Sequence, residues 1–176
     1  PKGTDNHILF NIGNRQGESG TVKDAYVTYT ADGHIEGWVI TIPEYVKKYQ
    51  PGAAVPLYFS AVLDREPESY GSFHGNTQLA DAKESKGTGA GMYFTFSNEQ
   101  QEAVTAKIGL SYTSVENARI NLQAEAEGKT FEDAKEQAHQ IWQEYLGRIE
   151  VETSKREDKV KFYTGCLLYT SPSPRD

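Results

Sequence analysis

The sequence predicts a mainly β protein, an antiparallel β-sandwich followed near the C-terminus by α-helices. Two observations carry this prediction. Through the first two-thirds of the chain, apolar and polar residues alternate in several short runs, as they do in half-buried strands. From Thr113 onward the apolar residues recur at helical spacing instead. Strands joined by turns, with no helices between them, favour two packed antiparallel sheets.

The strands follow one another along the chain with recognisable turns. The first contains Ile8, Phe10 and Ile12 at alternate positions. Asp32-Gly33 separates the second from the third and is typical of a tight hairpin turn in which both residues have positive φ. The predicted strands cover residues 7–12, 22–31, 34–42, 55–63, 92–96 and 104–112. Residues 43–51 are predicted to form a loop or one helical turn, and residues 66–90 a long polar loop.

The helical part begins at a capping signal. Thr113-Ser-Val-Glu116 is typical of a capping box and predicts a helix that stops at Gly128. A second helix is predicted to open at Thr130 and end at Gly147, and a third to begin near Lys155. The apolar residues of the second helix form one stripe, which contains Phe131, Ala134, Ala138, Ile141, Trp142, Tyr145 and Leu146.

Composition excludes several classes of protein. The chain has 176 residues, 37% of them hydrophobic, which is enough for a folded core. Its net charge of −7, without a cluster of Lys and Arg, disfavours nucleic acid and anionic membranes as partners. No apolar run approaches the ~20 residues of a membrane-spanning helix. Cys166 is the only cysteine, which excludes an internal disulfide and a cysteine-based zinc site.

His34, Glu36 and Trp38 are the candidate substrate-binding residues. They alternate along one predicted strand and therefore share a face of the sheet. A carboxylate, an imidazole and an indole on one face could contact a sugar, with the indole ring stacking on it. The alternative is a solvated sheet face that carries one amphipathic tryptophan.

No catalytic residue can be assigned from these patterns. Asp64, Glu66 and Glu68 could supply the two carboxylates that glycoside hydrolysis needs, or they could form a solvated acidic loop. The glycine-rich run at residues 87–91 precedes a strand rather than a helix, so it is not a phosphate-binding loop. The isolated histidines have no metal-ligand spacing, and no metal site is predicted.

Several stretches carry a family resemblance. They are Asp32-Gly-His-Ile-Glu-Gly-Trp-Val39, Val55-Pro-Leu-Tyr-Phe-Ser-Ala-Val-Leu63 and, as the most specific, Lys107-Ile-Gly-Leu-Ser-Tyr-Thr-Ser-Val-Glu-Asn-Ala-Arg-Ile-Asn-Leu122. The similarity continues through Ile141–Val151 and Lys159–Thr164 and spans nearly all of residues 1–164. In these stretches the chain resembles glycoside hydrolase family 92, the calcium-dependent exo-acting α-mannosidases of glycan-degrading bacteria.

The resemblance implies a division of the chain. Residues 1–113 would be part of an N-terminal β-sandwich domain, residues 114–153 linker helices, and residues 154–165 the start of a catalytic (α/α)6 barrel. Residues 166–176 leave the helical pattern and are interpreted as a spurious tail. We also expect the natural N-terminus, with any export signal, to lie upstream of Pro1. The sandwich is thus expected to be incomplete, with its helices packing on a missing barrel.

What the resemblance implies about activity concerns the intact enzyme. That enzyme would cleave terminal α-linked mannose from glycans with inversion, with a Glu acid, an Asp base and Ca²⁺, after export to the periplasm or cell surface. Its catalytic residues and calcium ligands would lie downstream, so this chain is predicted to be inactive alone and to bind no Ca²⁺. The alternative is a stand-alone carbohydrate-binding or structural β-sandwich module of a bacterial surface protein. Trp38 and the tyrosine-rich strands favour the carbohydrate-binding module, and the amphipathic helices after Thr113 disfavour the purely structural one.

Overall fold

Two antiparallel sheets and four helices make up the described part of this computed structural model, which comprises residues 5–15, 20–97 and 103–170. The strands are β1 (Asp5–Asn11), β2 (Thr21–Tyr29), β3 (Ile35–Ile42), β4 (Val55–Leu63), β5 (Ser69–His74), β6 (Thr77–Ala80), β7 (Glu84–Lys86), β8 (Ala90–Ser97) and β9 (Ala106–Ser111). The helices are α1 (Glu44–Tyr49), α2 (Val115–Ala126), α3 (Phe131–Leu146) and α4 (Arg156–Thr170). The chain divides into a sandwich unit, Pro1–Glu127, and a helical unit, Gly128–Asp176.

The two sheets have the strand orders β1-β8-β5-β6 and β7-β2-β3-β4-β9, and every pair is antiparallel. The core lies between them. Phe10 and Phe94 of the first sheet meet edge to face, with ring centroids 5.8 Å apart, and Phe10 also stacks on Phe59 of the second sheet. Val27 and Ile35, fully buried, complete this layer. The predicted mainly β fold, with antiparallel sheets and C-terminal helices, is confirmed.

The prediction of a long loop over residues 66–90 is wrong. Three short strands, β5 to β7, lie within it. β5 pairs with β8 from Ser69↔Thr95 to His74↔Ala90, and β6 pairs with β5 in turn. Few of these residues are apolar, so the alternation that marks the other strands is missing. Here the main-chain hydrogen bonds to β8, which is well packed, hold these polar residues in strands.

The hairpin between β2 and β3 forms where Asp32-Gly33 predicts it, but with a different turn. Gly33 has a φ of +83°, whereas Asp32 is not among the residues with positive φ. The main-chain amides of Thr30 and Gly33 donate to the carbonyls of His34 and Thr30 respectively, so the loop is longer than two residues. A longer loop needs the left-handed conformation only at its glycine.

Helix α2 begins one residue later than the capping signal predicts. Its N-cap is Ser114, whose hydroxyl accepts from the main-chain amide of Asn117 at 3.0 Å. The Asn117 side chain donates to the hydroxyl of Thr113, the residue predicted to be the cap. Two adjacent hydroxyl residues compete for this role, and Ser at the N-cap is slightly preferred over Thr. The helix ends, as predicted, just before Gly128.

Helix α2 packs on β4 and β9 through small and apolar residues. Ala118 is fully buried and Leu122 is 5% exposed. Gly109 of β9 lies directly beneath them, because a Cβ atom placed on it would be 2.2 Å from the Ala118 carbonyl oxygen. The helix therefore lies in close contact with the strand, and it belongs to the sandwich unit.

β9 is the edge strand of the five-stranded sheet, and its core-facing side is only partly covered. Ile108 and Leu110 pair in register with Ala61 and Phe59, which are buried. Ile108 and Leu110 themselves are 54% and 53% exposed. With Phe10 and Leu57 they line an apolar groove of about 500 Å³. The described residues thus leave part of the inner sheet face uncovered.

The helical unit contains α3 and α4. The predicted opening of α3 is confirmed: the Thr130 hydroxyl accepts from the Asp133 amide, and the Asp133 carboxylate accepts from the Thr130 amide. The apolar stripe of α3 is largely solvent-exposed, with Trp142 46% exposed. Contrary to the expected end of the helical pattern, α4 continues to Thr170; residues 171–176 lie outside the described residues, and the spurious origin of the tail stays a prediction. No described helix is long and apolar enough to cross a bilayer.

Candidate functional site

The three candidate residues lie on the face of β3 that points away from the core, or just before that strand. Ile35 and Gly37, which alternate with Glu36 and Trp38, are buried on the inner side. The structure brings His34 and Glu36 together, with Nδ1 3.9 Å from Oε1. Trp38 lies two positions beyond Glu36 on β3, and its ring contact is with Tyr26. The shared face is therefore occupied by two separate groups of side chains.

The first group is the Arg119 cluster, made of Asp32, His34, Glu36, Ser60 and Arg119. Oε1 of Glu36 accepts from the Ser60 hydroxyl and from Nε of Arg119, each at 2.8 Å. Nη1 of Arg119 donates to the Asp32 carboxylate at 2.6 Å. Nδ1 of His34 is 3.0 Å from the Ser60 hydroxyl oxygen. Because the single proton of that hydroxyl goes to Glu36, Nδ1 must carry the proton shared with Ser60.

The Arg119 cluster holds its carboxylates in the ionised form. Burial by itself would raise the pKa of Glu36, but hydrogen bonds from Arg119 and Ser60, with the positive charge of Arg119, outweigh it and lower the pKa. The hydrogen bond to Glu36, followed by the hydrogen bond to Asp32, raises the pKa of Arg119. A glycosidase acid needs a carboxyl group that is protonated near neutral pH. Glu36 is in the opposite state, so its chemistry here is that of an ion-pair partner.

We expect the cluster to make stability depend on acid pH. The Thr30 hydroxyl and the Arg119 guanidinium both donate to Asp32 and lower its pKa to about 2. A depressed folded-state pKa stabilises the fold above the usual carboxyl pKa of about 4, and this contribution is lost as the pH falls through 2. Asp32→Asn should therefore be less stable than the parent chain at pH 7, and the difference should shrink as the pH falls from 4 to 2.

Thermal unfolding midpoints of the parent chain and Asp32→Asn, measured between pH 7 and pH 2, check this expectation. Asparagine is well tolerated in turns, so the hairpin itself should be preserved. A difference in midpoint that stays constant over the whole pH range would contradict a role for the Asp32 charge.

The second group is an aromatic row made of Tyr26, Trp38 and Tyr58. The three residues pair in register across β2, β3 and β4. The ring centroids of Tyr26 and Trp38 are 6.4 Å apart, and all three side chains are half-buried. The Tyr26 hydroxyl donates to Glu84 at 2.8 Å, and burial followed by this contact raises its pKa. The register places all three side chains on the outer side of the sheet, with Glu36 and away from the core.

The three carboxylates of the acidic loop between β4 and β5 differ in their surroundings. Oδ1 of Asp64 accepts from the main-chain amide of Thr105 at 2.8 Å and so ties this loop to the start of β9. Glu66 and Glu68 are both exposed. Across the described ranges, no three His, Cys, Asp or Glu side chains come close enough together to hold a metal ion.

Sequence reasoning missed Arg119, the residue that connects the cluster. It lies 83 positions from Glu36, and no local pattern marks it as a partner. The only available signal was the family resemblance. Asp32 and Glu36 lie in its first stretch, Ser60 in its second and Arg119 in its third, and the structure brings all three stretches into contact.

Comparisons with known proteins agree on one family. The chain matches the sequence model of the glycosyl hydrolase family 92 N-terminal domain over residues 1–111 and that of the family 92 catalytic domain over residues 117–175. A search of the curated proteins gives no match.

Solved structures of this family share the fold. The inverting mannosidase BT2199 of Bacteroides thetaiotaomicron VPI-5482 is 21% identical with a TM-score of 0.74, over 97% of this chain and 21% of that one. The α-mannosidase BT3965 of Bacteroides thetaiotaomicron is also 21% identical, with a TM-score of 0.77, over 95% of this chain and 22% of its own. The chain thus spans about a fifth of the length of these structures.

Proposed function

Because the chain belongs to glycosyl hydrolase family 92, we propose that it is the N-terminal part of an enzyme that removes terminal α-linked mannose from glycans. One observation carries the proposal: the N-terminal and catalytic domain models of the family match the chain one after the other, in that order. The solved structures with the same fold, described as mannosidases, support mannose as the sugar.

In this proposal the residues of this chain connect the two domains, and the catalytic residues lie elsewhere in the intact enzyme. Arg119 lies in the stretch that matches the catalytic domain, and Glu36 in the stretch that matches the N-terminal domain. Their ion pair attaches the start of the catalytic sequence to the sandwich. Helix α2 thus lies largely in the stretch that matches the catalytic-domain model, while its buried residues pack on β4 and β9 of the sandwich unit.

We further propose that the intact enzyme is inverting, uses Ca²⁺ and is exported. A calcium site needs six to eight oxygen ligands, several of them carboxylates. The described residues do not fit this requirement, since they bring no three acidic, His or Cys side chains together. The proposal therefore assigns the calcium ligands, with the catalytic acid and base, to the remainder of the enzyme.

The test uses the full-length protein and the 176-residue chain in parallel, with 4-nitrophenyl α-mannoside as substrate. We expect turnover by the full-length protein only, with β-mannose as the first product in ¹H NMR, because inversion of an α-linkage yields the β-anomer. EDTA should abolish the activity, and Ca²⁺ but not Mg²⁺ should restore it. Turnover of other glycosides without turnover of α-mannosides would refute the proposal, and α-mannose as first product would refute inversion.

A further inference from the structure

Asp32-Gly33, in the turn between β2 and β3, is the only Asp-Gly dipeptide of the sequence, which has no Asn-Gly. Such dipeptides isomerise spontaneously, because a glycine has no side chain to obstruct attack of its main-chain nitrogen on the preceding carboxyl carbon. The surroundings do not obstruct it either: a Cβ atom added to Gly33 would have nothing within 4 Å, and the Asp32 side chain is 55% exposed. Both residues line a polar surface cleft of about 470 Å³.

Isomerisation of this dipeptide takes two steps and needs neither an oxidant nor a reductant. In the first step, the Gly33 nitrogen bonds to Cγ of Asp32, and the carboxyl hydroxyl leaves with the amide proton as water. In the second step, water adds to the main-chain carbonyl carbon of Asp32, and the bond from that carbon to the Gly33 nitrogen breaks. The product is isoaspartate, in which the main chain passes through the former side chain.

The first step needs a protonated carboxyl group, because an ionised one would have to expel an oxide ion. The structure holds Asp32 in the ionised form. Nη1 of Arg119 donates to Oδ2 at 2.6 Å and the Thr30 hydroxyl donates to Oδ1 at 2.6 Å, so each carboxylate oxygen has a donor. The hydrogen bonds from Thr30 and Arg119 lower the pKa of Asp32 to about 2. A turn with the sequence of an isomerisation site is therefore kept in its unreactive state.

The two donors to Asp32 come from different parts of the chain. Thr30 belongs to the turn itself, where its carbonyl also accepts from the Gly33 amide at 3.1 Å. Arg119 lies 87 positions away on α2, so its contact exists only while that helix is packed on the sheet. We propose that Asp32-Gly33 is a site of isoaspartate formation and that Arg119 keeps it unreacted, independently of the hydrolase activity proposed for the intact enzyme.

Isoaspartate would not restore the contact with Arg119. It adds a methylene carbon to the main chain of the turn, and its carboxylate stands directly on Cα rather than at the end of the side chain that Arg119 now binds. Glu36 would keep its own bond to Nε of Arg119, so the helix would be held by one carboxylate instead of two. A temporary separation of α2 from the turn can thus become a lasting loss of this ion pair.

The test follows isoaspartate in the 176-residue chain at mildly acidic pH, by enzymatic methylation of isoaspartyl carboxylates and peptide mass spectrometry. The folded parent chain should isomerise Asp32 more slowly than the same chain in urea. Arg119→Met should raise the folded-state rate about fivefold, because it removes one of two donors and a pKa change of one unit alters the protonated fraction tenfold. Arg148→Met is the matched control, since Arg148 pairs with Glu144 on α3, and it should isomerise at the parent rate.

A further variant, Asp32→Asn, separates the charge from the geometry of the turn. Asparagine forms the same cyclic imide with loss of ammonia and needs no protonated carboxyl group, so it reports whether the folded turn lets the ring close. We expect it to deamidate in the folded chain.

Three results would overturn the proposal. The first is isomerisation of the folded parent chain as fast as in urea. The second is an unchanged rate in Arg119→Met, with Arg119→Gln, which keeps a donor for Glu36, in its place should circular dichroism show that Arg119→Met is unfolded. The third is deamidation of Asp32→Asn in urea only, because the main chain of the turn would then protect the site without Arg119. None of these results would affect the mannosidase assay.

Discussion

Gly109→Ala is expected to lower the free energy of unfolding of the sandwich unit by about 3 kcal/mol, at the upper end of the cost of overpacking a core. The new methyl carbon would lie 2.2 Å from the Ala118 carbonyl oxygen and 2.7 Å from the main-chain nitrogen of Leu122. Main-chain atoms of a helix cannot rotate aside, so α2 would have to move away from β9. That movement would expose Ala118 and Leu122, which are now buried.

Urea denaturation of Gly109→Ala and of a control variant, Gly33→Ala, measures this effect. Gly33 has a φ of +83° but nothing within 4 Å of an added Cβ atom, so its variant reports the backbone cost alone. That cost is about 1–2 kcal/mol. Equal losses of unfolding free energy in the two variants would contradict the close contact between α2 and β9.

Arg119→Met is expected to cost about 2 kcal/mol, because it leaves the Glu36 carboxylate without a counter-charge. The Glu36 side chain is 12% exposed and that of Arg119 is 31% exposed. A fully buried pair would cost 3–5 kcal/mol when broken, and the partial exposure of Arg119 reduces this. Methionine keeps most of the apolar stem, so the variant tests the charge rather than the packing.

A double-mutant cycle with Glu36→Gln separates the two contributions. Neutralising Glu36 in the Arg119→Met background should restore part of the lost stability, since no unpaired charge then remains. Lys47→Met is the matched control, because Lys47 pairs with Glu44 on the exposed helix α1. It should change the free energy of unfolding by no more than about 0.5 kcal/mol. Additive losses in the cycle, or an equal loss in Lys47→Met, would contradict the role assigned to Arg119.

Elements that bury one face could be predicted from the sequence, and elements held by their neighbours could not. The strand β4 was predicted with its observed bounds, Val55–Leu63, because every second residue is apolar. The strand β6 has four residues and all of them are exposed, so it carries no such pattern. Its place depends on β5, which depends in turn on β8. The pairing of β5 with β8, which are separated in the chain by β6 and β7, leaves no periodic trace in the sequence.

The same reasoning applies to the candidate site. Alternation along β3 correctly places Glu36 and Trp38 on one face, since that depends only on strand geometry. Whether Glu36 faces solvent or a partner depends on α2, more than 80 positions later. A polar cleft between the β2–β3 turn and the β4–β5 loop could not be predicted for a related reason, because the two loops and Lys83 have to come together before it exists. The proposed substrate role of His34, Glu36 and Trp38 stays a prediction.

The division of the chain into two units has a spectroscopic consequence. The sequence contains two tryptophans, Trp38 in the sandwich unit and Trp142 in the helical unit. Trp38 lies 6.4 Å from the ring of Tyr26, close enough to receive excitation energy from it, whereas Trp142 is 46% exposed and should emit at longer wavelength. In Trp142→Phe the fluorescence would come from the sandwich unit alone, and in Trp38→Phe from the helical unit alone. Each unit thus contains its own tryptophan, and the unfolding of each can be followed by fluorescence without a label.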